Sequence, residues 1–192
     1  MKIICIGRNY VDHALELKNE VPTDPVFFLK PDTAILPAGR SFYLPDFSSD
    51  IHHEVELVLK ICKEGKHIAE EFAHRYYDKI TVGLDFTARD VQQRQKEKGL
   101  PWEPAKAFDH SAPVGEFVSI TDLKDRNAIQ FNLSKNGVIV QEGNISQMIF
   151  SFDKIIAFVS RYITLRKGDL IFTGTPKGVG QIKAGDLLEA TL

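Results

Sequence analysis

Apolar residues fall in short alternating or continuous blocks along most of the chain, and few stretches carry a helical period. Residues 2–6, 26–29, 53–61, 80–86 and 117–120 read as strands, rich in Ile, Val, Leu and Phe. Residues 128–133 and 137–141 predict a hairpin across Ser134-Lys135-Asn136-Gly137, because Asn-Gly accepts the positive φ angles of a tight turn. Strands at 170–172 and 187–190 are each entered through a Gly-Asp turn. The best amphipathic helix spans 151–162, with Phe152, Ile155, Ile156 and Val159 on its buried side. A short helix is expected over 10–18, anchored by Ala14 and Leu15 and broken by the Pro-rich 21–25. Another is expected over 67–77, with Ile68, Phe72 and Tyr76 inward. A polar, largely exposed helix should start at Thr87-Ala88-Arg89-Asp90, a capping-box pattern, and stop at Gly99. Residues 35–45 hold two Pro-bounded segments turning at Gly39, and 101–115 form a Pro-rich connection. The balance favours a strand-rich α+β architecture over regular βαβ winding, with 1–192 as a single catalytic domain.

Composition narrows the partners. The 192 residues, 43% of them hydrophobic and 13 of them Phe, suffice for a core without disulfides. A net charge of −2 gives no reason to expect nucleic acid or an anionic membrane as partner. Cys5 and Cys62 sit in apolar runs without CxxC spacing, which reads as buried, reduced thiols. The apolar start is too short for a secretion signal and no run reaches membrane length, so a cytoplasmic protein is expected.

Candidate chemistry begins at Ile51-His52-His53-Glu54-Val55-Glu56-Leu57-Val58-Leu59. Val55, Leu57 and Leu59 share one strand face, while Glu54 and Glu56 point together from the other. Two carboxylates about 6–7 Å apart on one face repel unless solvent or a cation absorbs their charge. Asp85, closing residues 80–84, is a third oxygen ligand for magnesium or manganese. The adjacent His52 and His53 leave zinc as a lesser option, and the pattern equally fits a strand's solvated face. His13 and Glu16 share a helix face, where the carboxylate can fix the imidazole tautomer and make a general base. Any exposed His and Glu at that spacing look the same. Lys106 lies among apolar neighbours, either snorkelling to water or neutralising an anion. Thr173-Gly174-Thr175-Pro176-Lys177-Gly178-Val179-Gly180 lacks Walker spacing, yet can offer backbone N–H groups and the Thr175 hydroxyl to a carboxylate.

Together these segments resemble the fumarylacetoacetate hydrolase family, in particular its short acylpyruvate hydrolase and oxaloacetate decarboxylase branch. The likeness rests on Gly7-Arg8-Asn9-Tyr10 with His13 and Glu16, Phe28-Leu29-Lys30-Pro31, and His53-Glu54-Val55-Glu56-Leu57. Leu84 through Gln92, Gly99-Leu100-Pro101-Trp102 with Lys106, and the loop 173–180 complete it in the family's order. The resemblance implies a mixed β roll with short peripheral helices, assembled as a homodimer, and a family pattern continuing past Leu192. It implies Mg2+ or Mn2+ on Glu54, Glu56 and Asp85, and a water-activating His13–Glu16 dyad on a helix that orders over the substrate. It places Lys106 near the reacting oxygens, Gln92 and Thr175 as substrate- or water-positioning groups, and Arg8 and Arg89 around them.

The implied activity is metal-dependent cleavage of C–C bonds in small 2-oxo acids. Acylpyruvate hydrolysis would use the dyad to activate water, and oxaloacetate decarboxylation would share the electron sink without needing water. Alternatives are a decarboxylase/isomerase or hydratase of unsaturated 2-oxo diacids, an oxaloacetate tautomerase, and a non-catalytic domain that keeps the metal for stability.

Overall fold

The computed structural model describes residues 1–16, 20–126 and 128–192. The strands are, in chain order, β1 (Ile3–Gly7), β2 (Val26–Lys30), β3 (Ile51–His53), β4 (Val55–Ile61), β5 (Tyr77–Leu84) and β6 (Thr87–Ala88). They continue as β7 (Val118–Ser119), β8 (Gln130–Lys135), β9 (Val138–Asn144), β10 (Leu170–Phe172), β11 (Gly180–Gln181) and β12 (Leu188–Thr191). Four α-helices accompany them among the described residues: α1 (Val11–Glu16), α2 (Arg89–Lys98), α3 (Glu103–Lys106) and α4 (Phe152–Tyr162). This is the strand-rich α+β architecture expected from the sequence.

The central sheet has the order β2-β1-β10-β4-β5-β7, with β1 parallel to β10 and its other neighbours antiparallel. Two three-stranded sheets, β11-β3-β6 and β12-β8-β9, complete the fold. The central sheet is covered on both faces, which is why its inner strands read as continuous apolar runs. Ile4, Ile6, Leu57 and Leu59 join the large core on one face with Ile155, Ile156 and Val159 of α4. Ile3, Cys5, Val58 and Phe172 join a smaller core on the other with Phe28.

Several local expectations match. The hairpin turns through Asn136 and Gly137, both at positive φ, with a bulge at Leu133/Ser134 that the pattern did not reveal. Helix α4 begins after Ser151, whose hydroxyl accepts from Lys154 N at 3.2 Å. Helix α2 ends at Gly99 in the left-handed region.

Others need correction. The strand expected over 53–61 breaks at Glu54 into β3 and β4, which belong to different sheets. No side-chain cap or capping box starts α2. Thr87 is instead held extended in β6 opposite His52 and donates to Asp85 O, while Asp90 accepts from Ser48 and from Val91 N. Residues 70–75 form a 3-10 helix, whose three-residue period buries Ala73 and turns Phe72 outward beneath Arg75. In α1 the body-facing pair is His13 and Ala14, so Leu15 is exposed; residues 17–18 of that expectation lie outside the described residues. Cys5 is buried, but Cys62 is only half-buried because it follows the end of β4.

Candidate metal and active site

The pairing pattern brings four chain segments to one end of the central sheet. The strands β1, β10 and β5 all finish there, and β4 begins there. Arg8, Glu54 to Glu56, Asp85 and Thr173 to Thr175 therefore converge from distant parts of the sequence. Asn9 stitches two of these segments together. Its Nδ2 donates to Thr173 O at 2.8 Å and Phe150 O at 3.0 Å, and its Oδ1 accepts from Phe150 N at 2.7 Å. The stitch leaves Arg8 at φ 60°, a conformation that costs an ordinary side chain about 1–2 kcal/mol.

Glu54, Glu56 and Asp85 each place one carboxylate oxygen within 4.8 Å of the others, and all three are buried. Such a cluster is unfavourable without positive charge, and three cations partly supply it. Lys106 Nζ donates to Glu54 Oε2 at 2.7 Å and to Asp85 Oδ2 at 2.6 Å. Arg89 Nη2 donates to Glu54 Oε1 at 2.5 Å, and Lys30 Nζ lies 2.7 Å from Asp85 Oδ1. Burial opposes ionisation of Glu54, but Lys106 and then Arg89 outweigh it and hold the carboxyl well below its ordinary range. Burial also works against the Lys106 ammonium, and Asp85 and Glu54 together reverse that and raise it. Glu56 is different. Among the described residues it has no cationic hydrogen-bond or ion-pair partner, only the Gly174 amide, which donates to Oε2 at 2.7 Å. Burial first, then Asp85 and Glu54, push its carboxyl well above the usual carboxylate range.

These features fit a hard divalent cation. The donor set is all oxygen, and among the described residues Glu56 has no cationic partner to compensate its charge. Neither neighbouring histidine joins the group. His53 Nδ1 is bonded to Gln141 Oε1 at 2.9 Å, and His52 Nε2 to Asp50 Oδ1 at 2.9 Å. An oxygen-only set favours magnesium or manganese over zinc.

The same cleft is lined by His13, Arg8, Arg89, Gln92, Lys106 and Thr175 beside the three carboxylates. Nine of the ten residues singled out from sequence therefore meet at one place, and the tenth is in contact with one of them. Glu16 Oε2 lies 3.4 Å from His13 Nδ1, and the Glu16 carboxylate accepts from Gly178 N at 3.1 Å. That contact favours a proton on Nδ1 and leaves Nε2 as the basic nitrogen. Burial lowers the His13 pKa, only partly opposed by Glu54 and Glu16, which keeps the ring neutral. Gln92 Oε1 accepts from Arg89 Nη1 at 2.7 Å, so the first turn of α2 presents both groups as a unit. Thr175 Oγ1 accepts from Gln141 Nε2 at 3.0 Å.

Three contributors were not assigned a role from sequence. Lys30 is fully buried, and its ammonium donates to Ser111 Oγ at 2.9 Å, Ser111 O at 3.1 Å and Lys106 O. It thereby ties Asp85 to the backbone beneath Lys106. The signal was available, because Lys30 ends an apolar strand as Lys106 ends an apolar turn. Gln141, on the small β8-β9 hairpin, bonds His53, Val55 N, Thr175 and Pro176 O and so aligns the two halves of the site. Nothing in its local sequence marks it. Lys96, on a helix that reads as solvent-facing, lines the cleft with Trp102 and Phe28.

Known proteins resemble this chain in sequence and in fold. The family pattern described as "Fumarylacetoacetate (FAA) hydrolase C-terminal" matches residues 2–192. The mouse (Mus musculus) protein named oxaloacetate tautomerase FAHD1, mitochondrial, is 49% identical over 188 residues, 98% of this chain and 85% of the relative. The oxaloacetate decarboxylase, mitochondrial, of Dictyostelium discoideum is 44% identical over 189 residues, 98% of this chain and 87% of the relative. The crystal structure of fumarylpyruvate hydrolase from Pseudomonas aeruginosa in complex with Mn2+ and pyruvate superposes with a TM-score of 0.93 at 38% identity, covering 100% of this chain and 84% of that one.

Proposed function

The chain belongs to the fumarylacetoacetate hydrolase family, and from that premise we propose that it is a divalent-metal-dependent enzyme cleaving C–C bonds of small 2-oxo acids. Its relatives are enzymes of 2-oxo acids, named for oxaloacetate and fumarylpyruvate. The observation that carries the proposal is the buried carboxylate cluster opening on a cleft that also holds a neutral histidine. Glu54, Glu56 and Asp85 would hold Mg2+ or Mn2+. When bound, such a cation supplies Lewis-acid stabilisation of negative charge developing on the 2-oxo oxygen.

The chain's own groups do the rest. In acylpyruvate hydrolysis, His13 Nε2 takes a proton from a water while Glu16 holds the Nδ1 proton in place. The water oxygen adds to the C4 carbonyl, the C3–C4 bond breaks, and its electron pair moves into the pyruvate enolate. Lys106 faces the charge on the 2-oxo oxygen, and protonation at C3 yields pyruvate and a carboxylic acid. Arg8, Arg89, Gln92 and Thr175 bind and orient the substrate. In oxaloacetate decarboxylation the same bond breaks with loss of CO2, and no water is needed. A homodimer of single catalytic domains in the cytoplasm belongs to the same proposal. Among the described residues no helix is long and apolar enough to cross a membrane.

A second reading, keto–enol exchange of oxaloacetate, is favoured by the mouse relative's name. A screen of acetylpyruvate and oxaloacetate with and without chelator separates the two. Metal-dependent release of pyruvate is the expected result. Loss of the enol absorbance without pyruvate or CO2 would support the second reading, and no metal-dependent turnover of either compound would reject both.

A further inference from the structure

Two cations in the cleft have no ion-pair partner among the described residues. Arg89 and Lys106 are engaged with Glu54 and Asp85. Arg8 and Lys96 are not: among the described residues neither has a carboxylate at ion-pair distance. Both instead lie over the ring of Trp102, the Arg8 guanidinium carbon 5.8 Å and the Lys96 ammonium 5.9 Å from its centre. They reach that ring from separate elements, Arg8 from the end of β1 and Lys96 from the last turn of α2.

The arrangement is costly as it stands. Lys96 lies between Arg94 and Lys98, both exposed, yet it is drawn into the cleft wall. Burial lowers its pKa, and repulsion from Arg8 and Arg89 adds to the effect. Arg8 holds its position through a backbone conformation that few side chains adopt. Cation–π contact with one shared ring contributes about 0.5–2 kcal/mol per cation and removes none of the repulsion between them. An anion placed between the two would do so, through two charge-assisted hydrogen bonds. In a cleft whose other end takes the 2-oxo acid group, that anion is the far end of the same molecule.

We propose that Arg8 and Lys96, ranged on Trp102, bind a second carboxylate of the substrate, so that the site prefers 2-oxo diacids over 2-oxo monoacids. This rests on the 2-oxo acid reading of the site and adds two specificity residues to it. There is a consequence for oxaloacetate. Its C3–C4 bond breaks by leaving the electron pair on C3 while the distal carboxylate departs as uncharged CO2. Ion pairs to that carboxylate are lost along the way, so the pair holds back decarboxylation relative to keto–enol exchange.

Trp102 is the single tryptophan of the chain, so intrinsic fluorescence reports directly on this place. The probes are 2-oxoglutarate and 2-oxopentanoate, which differ by a distal carboxylate against a methyl group, titrated into the intact protein in saturating Mg2+. The diacid should bind about tenfold tighter or more, the scale of a hydrogen bond to a charged group. Lys96→Met should reduce that ratio to near one with the thermal midpoint retained, Lys96→Arg should keep it, and the Met variant should release more CO2 per oxaloacetate tautomerised. Equal affinities in the parent, or a full preference surviving in Lys96→Met, would overturn the clamp and leave the 2-oxo acid reading intact. Failure of both compounds to bind would overturn both.

Discussion

At the scale of single residues, burial decides what each ionisable group does. His13 is neutral because its ring is desolvated, with the Glu54 and Glu16 carboxylates only partly offsetting this. A base whose pKa is lowered stays unprotonated to lower pH, so the acid limb of kcat/KM for acylpyruvate cleavage should lie below the ordinary imidazole value of 6.5. His13→Ala should reduce acetylpyruvate cleavage more than tenfold, and equal rates for variant and parent would remove His13 from the mechanism. Glu54 has the opposite environment, held ionised by Lys106 and Arg89 against the cost of its burial. Glu54→Gln should weaken Mg2+ binding and lower hydrolysis and decarboxylation together. Calorimetry that finds metal affinity unchanged would show that Glu54 is not a ligand.

At the scale of elements, the site depends on how strand ends are held together. Gly174 follows β10 at φ 105°, and a Cβ there would fall 2.6 Å from the Asn9 Cβ. Its amide is also the donor that orients Glu56. Gly174→Ala should therefore destabilise the protein by more than about 1 kcal/mol in denaturant unfolding and weaken Mg2+ binding as well. A loss of stability with unchanged metal affinity would separate Glu56 from this loop. The elements themselves were largely readable. The 151–162 helix and the Asn-Gly hairpin were evident because their periodicity and turn chemistry are local. The 3-10 segment at 70–75 was missed because a single apolar turn does not distinguish a period of 3.0 from 3.6. The break at Glu54 was missed because His53 and Val55 pair with different sheets, and pairing partners leave no mark on the strand's own pattern.

At the scale of the whole molecule, metal binding and protonation are linked through Glu56. Its carboxyl pKa is raised by burial, Asp85 and Glu54, so a cation must displace a proton that an exposed carboxylate would already have lost. Apparent Mg2+ affinity should therefore rise with pH across the range above the ordinary carboxylate pKa of 4.5. Calorimetry in buffers of different ionisation heat should detect proton release on binding, and a pH-independent affinity with no release would count against Glu56 as the uncompensated ligand. Sequence by itself determined the strand-rich class, the main helix and hairpin, and the candidate residues of the cleft. These follow from side-chain type, local period and family pattern, all of which are written along the chain. Tertiary structure alone decided that Glu56 has no cationic hydrogen-bond or ion-pair partner among the described residues, that Lys30 lies beneath Asp85, that Gln141 bridges two segments, and that Lys96 turns inward to Trp102. Each of these depends on which distant residue is the neighbour, because burial and pairing set both the cost of a charge and the place where it is met.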